Sequence, residues 1–188
     1  MNKKYLALPA VLVVAAAVVT AIQLWPSTLK DLRAQNLCLG MLTEKTAGLL
    51  SDGKGGRLTV DESGGSGADP VFSTTCFVIR VPEKATEGPL QYTLAVRPAN
   101  TLNSPANGAT GLPDGHSGWV SPRQSEVQLP AGCLKKMKAD AEYVTVSLEV
   151  APGVVVAEKW DEAALTAASR TVVLEAVDNL AKQYDCEA

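Results

Sequence analysis

The residues whose chemistry is easiest to assign are the four cysteines, Cys38, Cys76, Cys133 and Cys186. None forms a Cys-x-x-Cys pair, and the single histidine, His116, does not complete a zinc set by local spacing. In an exported chain an even number of cysteines predicts disulfides, here two. Three connectivities are possible. We favour Cys38–Cys76 with Cys133–Cys186, because each pair encloses one plausible half of the chain.

Three stretches carry residues typical of catalytic or ligand-binding motifs, and none fits its template. The stretch "GHSGW" (residues 115–119) lacks the last glycine of Gly-x-Ser-x-Gly and follows no strand, so we interpret it as a turn. "DGKGG" (residues 52–56) lacks the acidic ligands of a calcium loop and the spacing of a phosphate loop. The neighbouring carboxylates Asp61 and Glu62 would point to opposite faces of a strand. The sequence therefore predicts no catalytic residue, no metal and no cofactor, which is typical of a protein that is not an enzyme.

Charge and the N-terminus indicate where the chain resides. The net charge of −3 includes Lys3 and Lys4, so the rest of the chain is more acidic, which argues against nucleic acid as a partner. Residues 5–25 carry no charge and, at about 1.5 Å per residue, span a hydrocarbon core of about 30 Å. Positive charge before the run keeps that end inside. We therefore predict a cytoplasmic tail (1–4), a single-pass membrane anchor (5–25) and an outer domain (26–188).

Cleavage of the N-terminal segment stays open as an alternative. Val19-Thr20-Ala21 has the small-residue pattern that signal peptidase accepts, and cleavage near Ala21 would release a secreted protein. The apolar run continues through Trp25, however, and is longer than the usual apolar region of about 7–15 residues in a signal peptide. We favour retention, and both alternatives place residues 26–188 outside the cytoplasm.

The outer part of the chain alternates between strand and loop patterns. Val144, Val146, Leu148 and Val150 share one face of a predicted strand. Two further strands are "VFSTTCFVIRV" and "LQYTLAVRP"; a short one covers 57–61, a short helix follows Thr43, and residues 119–130 form two short strands or a hairpin. "PGVVVAEKW" is interpreted as a short partner strand. The Pro- and Gly-rich residues 98–118 predict a loop, or a linker between halves 26–97 and 119–188.

The last stretch, residues 161–186, has the clearest helical period. Its apolar residues recur at steps of three and four: Leu165, Ala168, Val172, Val173, Ala176, Val177, Leu180 and Tyr184. With helices at the ends of a run of strands, the order predicts an α+β fold. In it, a transmembrane helix precedes an antiparallel sheet that has helices packed on it and two disulfides.

Two surface features were considered for partner binding. Lys135, Lys136 and Lys138 form the one basic cluster, which is either solvated surface or a contact for anionic envelope polymers or lipid head groups. Trp119 is either packed in the core or its rim, or exposed as part of a binding surface.

The cysteine contexts resemble small exported domains of actinobacterial envelope proteins. The stretches that carry this resemblance are "CLGMLTEKTAGLL" from Cys38, "TTCFVIRV" around Cys76, "LPAGC" at Cys133 and "YDC" at Cys186. The resemblance implies an extracytoplasmic location and disulfides, and it implies no reaction. Many such proteins carry a lipid-attachment cysteine; this chain has none near residue 25, which leaves anchoring to the apolar helix.

The leading hypothesis is a non-enzymatic envelope protein that binds a partner protein or a cell-wall component. The alternative is an exported carrier that holds an apolar ligand between the sheet and the terminal helix. An enzyme would require a cleft with carboxylates converging near His116.

Overall fold

The computed structural model describes residues 32–33, 35–64, 73–113 and 115–186. The predicted tail and membrane segment, residues 1–25, lie outside these described residues. Within the described ranges, no helix combines the length and the apolar character that crossing a membrane requires.

A single antiparallel sheet of seven strands organises the described residues, in the order β1-β2-β3-β7-β6-β5-β4. The strands are β1 (Arg57–Gly64), β2 (Thr74–Val81), β3 (Leu90–Ala99), β4 (Thr110–Gly111), β5 (Ser117–Val120), β6 (Gln124–Gln128) and β7 (Tyr143–Val150). The helices that the described part of the chain defines from end to end are α1 (Glu44–Ala47), α2 (Ala131–Lys136), α3 (Pro152–Val155) and α4 (Glu162–Gln183). The predicted α+β class, with an antiparallel sheet and helices, is confirmed.

The sheet is continuous across the two predicted halves of the chain. β3 pairs with β7 from Tyr92↔Val150 to Ala99↔Tyr143. The predicted loop 98–118 supplies the end of β3, all of β4 and the start of β5. Pro98 fits within β3 because pairing with β2 stops at Ala95, so its missing N–H faces no neighbouring strand.

Helix α4 covers one face of the sheet. The strand pattern of β7 is confirmed, since Val144, Val146, Leu148 and Val150 are all buried in one core. From α4 that core receives Leu165, Val172, Val173, Ala176, Val177 and Leu180. Burying each of the valine and leucine side chains contributes about 1.5–3 kcal/mol. The predicted terminal helix is confirmed, and its N-cap is Asp161, whose carboxylate accepts from the Ala164 N–H.

The two short helices α1 and α3 are determined by the residues at their N-termini. Thr43 caps α1 as predicted, accepting from the Thr46 N–H at 3.3 Å. The prediction of a strand at "PGVVVAEKW" is wrong, because Pro152 occupies the first turn of α3, where its missing N–H and fixed φ favour a helix. The run of valines had suggested a strand.

Both favoured disulfides are present, with Cα–Cα distances of 5.5 Å for Cys38–Cys76 and 5.0 Å for Cys133–Cys186. Loops of this size contribute about 4 kcal/mol each in the chain-entropy account. The first bond ties the segment before α1 to β2, and the second ties α2 to the chain just after α4. Structural disulfides persist in oxidising compartments, so the two bonds indicate an extracytoplasmic location.

Three polar side chains on α4 hold the N-terminal segment (residues 33–50) against the helix. Glu175, Asn179 and Gln183, called here the polar ladder, are spaced four residues apart and therefore share one face. Its contacts are Thr43 N to Glu175 Oε1 at 2.7 Å, Asn179 Nδ2 to Met41 O at 2.9 Å, and Arg33 Nε to Gln183 Oε1 at 3.3 Å. The polar ladder thus satisfies polar groups of this segment that lie outside regular secondary structure, such as the Met41 carbonyl and the Thr43 N–H.

Two further residues fit this segment closely to its surroundings. Gly40 has φ +93°, and a Cβ there would lie 2.5 Å from Gln183 Nε2, so no other residue is accommodated without a shift. From the sheet, the buried Tyr92 hydroxyl donates to Ala47 O at 3.1 Å. Burial, with a smaller effect of the Glu175 charge, raises the pKa of Tyr92 far above its usual range.

The polar ladder yields a stability prediction. Asn179→Ala is expected to lower the free energy of unfolding by about 1–3 kcal/mol, because the buried Met41 carbonyl loses its donor. The matched control is Asp178→Ala, at the exposed neighbouring position of α4, which should change it by less than about 0.5 kcal/mol. Urea unfolding of both variants measures the difference; equal values would contradict the role given to Asn179.

Candidate functional site

A cleft with a volume of about 950 Å³ lies where the N-terminal end of α4 meets the end of the sheet. Ligand sites are most often concave features of about 300–1,000 Å³. Four chain segments form this cleft, which we call the terminal cleft. Its lining includes Ala106, Asn107, Ser121, Pro122, Arg123, Gln124, Glu149, Val150, Pro152, Val155, Val156, Trp160, Asp161, Glu162 and Leu165.

The β5–β6 turn places Arg123 at one side of the terminal cleft. The Ser121 hydroxyl donates to Gln124 O at 2.7 Å and accepts from the N–H of Gln124 at 3.1 Å, which closes the turn. Arg123 O also accepts from the Val150 N–H at 2.8 Å, which fixes the turn to the end of β7. The backbone of Arg123 is therefore held while its exposed side chain is free to reach a ligand.

The chain between β7 and α4 supplies the apolar rim. Val156 follows α3 and is 76% exposed, so its apolar side chain is accessible to a ligand at the rim. Trp160 is half-buried, and its indole N–H donates to Ser51 O at 2.8 Å. Lys159 Nζ lies 4.3 Å from the centre of the Trp160 ring and donates to the Ser51 hydroxyl at 2.9 Å. Trp160 is thereby oriented by the loop that contains Ser51.

That loop is anchored by a buried ion pair. Arg80 Nε and Nη2 contact Asp52 Oδ1 and Oδ2 at 2.7 and 2.8 Å, and the two side chains are only 6% and 9% exposed. Arg80 Nη1 also donates to Gly55 O at 2.8 Å. Such a two-point contact is geometrically specific. Hydrogen bonding from Arg80 lowers the pKa of Asp52, outweighing the opposing effect of burial.

The terminal cleft is acidic and only partly apolar. Its lining contains three acidic residues and one basic residue, which are Glu149, Asp161, Glu162 and Arg123. The carboxylate of Asp161 is engaged in capping α4, whereas Glu149 and Glu162 are exposed. Two available carboxylates beside an apolar rim can bind a basic, amphipathic segment through charge-assisted hydrogen bonds and apolar contact.

A second groove, of about 430 Å³, lies on the sheet face opposite α4 and shares Gln124 and Glu149 with the terminal cleft. Trp119 lines it but is only 9% exposed, and its indole N–H donates to Asn103 O at 3.2 Å. The carboxylate of Glu126 accepts from the Asn103 backbone N–H at 3.1 Å and also from its side-chain amide. Trp119 therefore fastens the β3–β4 loop to the sheet.

The basic cluster lies elsewhere. Lys135 and Lys136 are exposed on α2 and Lys138 follows it, while Trp119 belongs to β5, so these residues occupy separate elements. Lys136 Nζ lies 3.4 Å from Asp185 Oδ2, a solvent-exposed contact that contributes little.

His116 lines a third groove, of about 640 Å³, between the chain before β5 and the C-terminal part of α4. Asp178 and Lys182 line the same groove. Among the described residues no group of three or more His, Cys, Asp and Glu side chains is arranged to hold a metal ion.

The sequence did not single out the terminal cleft. Its residues come from four separate segments, around 106, 121–124, 149–156 and 160–165, and only the strand order brings these together. Each was visible locally only as a turn, a strand end or a helix start. The local signal that could have indicated the terminal cleft is Trp160, an aromatic residue directly before Asp161 and Glu162 at the N-terminus of α4.

Comparisons with family models, with curated proteins and with solved structures found no match for this chain.

The buried ion pair yields a pH prediction. Asp52→Asn should lower the free energy of unfolding by about 2–3 kcal/mol near pH 7, because Arg80 then keeps only neutral acceptors. The pKa of folded Asp52 lies below its unfolded value of about 3.9, so the stabilisation is present above that value and is lost as the pH falls through the folded pKa. The difference from wild type should therefore be constant above about pH 5 and shrink below about pH 4.

Urea unfolding of wild type and Asp52→Asn at a series of pH values, from about pH 7 to below about pH 4, measures the effect. Asp140→Asn, at an exposed position, serves as the control and should change stability by less than about 0.5 kcal/mol near pH 7. A deficit in Asp52→Asn that persists undiminished at low pH would contradict the assignment.

Proposed function

We propose that this chain is a non-enzymatic, single-pass envelope protein whose outer domain binds a segment of a partner envelope protein in the terminal cleft. The observation that carries the proposal is the cleft itself, which combines an exposed apolar rim with two available carboxylates. Because it lies beside the capped start of α4 and an ion-paired loop, its walls are held by structure that does not depend on a ligand.

Two features support the location. The disulfides Cys38–Cys76 and Cys133–Cys186 fit an oxidising exterior. The uncharged residues 5–25, preceded by Lys3 and Lys4, fit an anchor whose N-terminus stays in the cytoplasm.

The charge of the cleft favours a protein segment over the two other occupants. A wall polymer rich in anionic groups would be repelled by Glu149 and Glu162. An apolar ligand carried between the sheet and α4 would need the space that Val146, Leu148 and Val173 fill as fully buried side chains. A basic, partly apolar peptide segment is attracted by these carboxylates and does not require space inside the packed core.

The anchor is tested by fractionation of the full chain in its native host. We expect the protein to sediment with membranes, to be released by detergent and to keep residues 1–25 by intact mass. Washing with high salt should not release it, because an inserted apolar helix is held by burial and not by charge. A soluble product that begins at Ile22 would contradict retention.

The cleft is tested by a photo-crosslinking amino acid placed at Val156 in the same cells. We expect discrete cross-linked protein products, and we expect Glu149→Lys with Glu162→Lys to reduce them strongly, because the charge of the site is reversed. A probe at Glu158 is the matched control, since that residue is exposed in the same turn but does not line the terminal cleft.

Three results would count against the proposal. They are equal products from Val156 and Glu158, products that charge reversal leaves unchanged, and products that enter a gel only after digestion of the cell wall. The last would assign the cleft to a wall polymer.

A further inference from the structure

Strand β1 forms one edge of the sheet, and β4 forms the other. β4 has only two residues, whereas β1 has eight, from Arg57 to Gly64. A long edge strand presents a row of backbone donors and acceptors that can pair with another chain. Among the described residues, no strand pairs with the outer side of β1.

The phase of the existing hydrogen bonds shows which groups of β1 point outward. The Arg80 N–H donates to Pro89 O at 3.1 Å, so the backbone of Arg80 faces β3 and not β1. Leu58 lies opposite Arg80 in the register. Leu58 and Arg80 therefore form a non-hydrogen-bonded pair of the β1–β2 ladder, and the backbone groups of Leu58 point away from β2. Because the phase alternates along an antiparallel pair, Leu58, Val60 and Glu62 direct their N–H and C=O groups away from the sheet.

We propose that β1 pairs antiparallel with β1 of a second copy of this chain, with Thr59 opposite Thr59 about a two-fold axis. In this register Leu58 of each copy faces Val60 of the other, and about four backbone hydrogen bonds form between these outward-facing groups. The helix-bearing faces of the two sheets stay on the same side, because residues opposite one another in the pair then point to the same face. The inference is independent of the terminal cleft.

The side chains of β1 complement themselves in this register. On the face away from α4, Arg57 of each copy lies opposite Asp61 of the other, which gives two oppositely charged pairs at non-hydrogen-bonded positions, where side chains are closest. Both residues are exposed in the single chain. On the α4 side, half-buried Leu58 lies opposite half-buried Val60. Glu62, which accepts from the Leu39 N–H, lies opposite Gly56, whose lack of a side chain leaves room.

The neighbouring register is less favourable. If Val60 lay opposite Val60, apolar Leu58 would lie opposite charged Glu62, and Arg57 would lie opposite Ser63. Both the apolar pair and the charge pairs would be lost. Pairing of one strand buries less than the about 800 Å² per partner of a standard interface, so the association is weak and a covalent trap is the appropriate probe.

The test introduces Thr59→Cys into the full chain and applies mild oxidation, with the products separated under non-reducing conditions. At a non-hydrogen-bonded antiparallel position the two Cα atoms lie about 4.5 Å apart, which permits a disulfide. We expect a reducible dimer of this chain. In Val60→Cys the two thiols would be diagonal neighbours about 7–8 Å apart, so severalfold less dimer is expected.

The second part of the experiment exchanges the charges at positions 57 and 61. In the Thr59→Cys background, Arg57→Glu should lower the dimer yield severalfold, because two acidic residues then face each other. Adding Asp61→Arg should restore it, because the pair is re-formed with its signs exchanged. Peptide mapping of Cys38–Cys76 and Cys133–Cys186 establishes that each variant retains the native disulfides and is folded.

The proposal is overturned by any of four results in variants that retain both native disulfides. These are no dimer from Thr59→Cys, as much dimer from Val60→Cys as from Thr59→Cys, no rescue by Asp61→Arg, and cross-linking of Thr59→Cys to a different protein in place of a second copy.

Discussion

The structure depends on one constraint: within the described residues, one long helix, α4, covers one face of a seven-stranded sheet. Val172, Val173 and Val177 of α4 pack on the apolar face, which is thereby removed from water and supplies the hydrophobic core. The opposite face carries polar side chains such as Thr75, Thr93, Arg97, Ser147 and Glu149, which tolerate solvent. Ligand-accessible features are consequently displaced to the open face, to the end of the sheet beside α4 and to the edge at β1.

The same helix also organises the least regular part of the chain. Between Leu37 and Leu50 the one helix is α1, which has four residues. The polar ladder of Glu175, Asn179 and Gln183 binds groups of this segment and of Arg33, and Cys38–Cys76 joins the segment to β2. The loop that follows carries Asp52, whose ion pair with Arg80 in turn supports Trp160 at the terminal cleft. A chain of polar contacts therefore connects the segment nearest the N-terminus to the candidate site.

Sequence periodicity and capping residues predicted the elements that are determined by interactions between neighbouring residues. Three predictions depend on a few adjacent residues, and each is confirmed. They are the alternation of Val144, Val146, Leu148 and Val150, the recurrence of apolar residues at steps of three and four in α4, and the Thr43 cap. The cysteine pairing followed from how the bonds divide the chain.

The sequence misled for one element. The stretch that forms α3 was predicted as a strand, because its three successive valines favoured a strand more than the proline before them favoured a helix. The strand order, the union of the two predicted halves through β3 and β7, and the terminal cleft depend on contacts between distant residues, which no local pattern encodes.

The Cys38–Cys76 bond has a mechanical consequence. Tension applied to the chain ahead of Cys38 passes through the sulfur atoms directly into β2, a strand held by neighbours on both sides. Residues 39–75 lie within the covalent loop that this bond closes, so the covalent load path bypasses α1, β1 and the ion-paired loop at Asp52. A bond of this kind directs a pull from the N-terminal side into an interior strand of the sheet and away from the loop that positions Trp160.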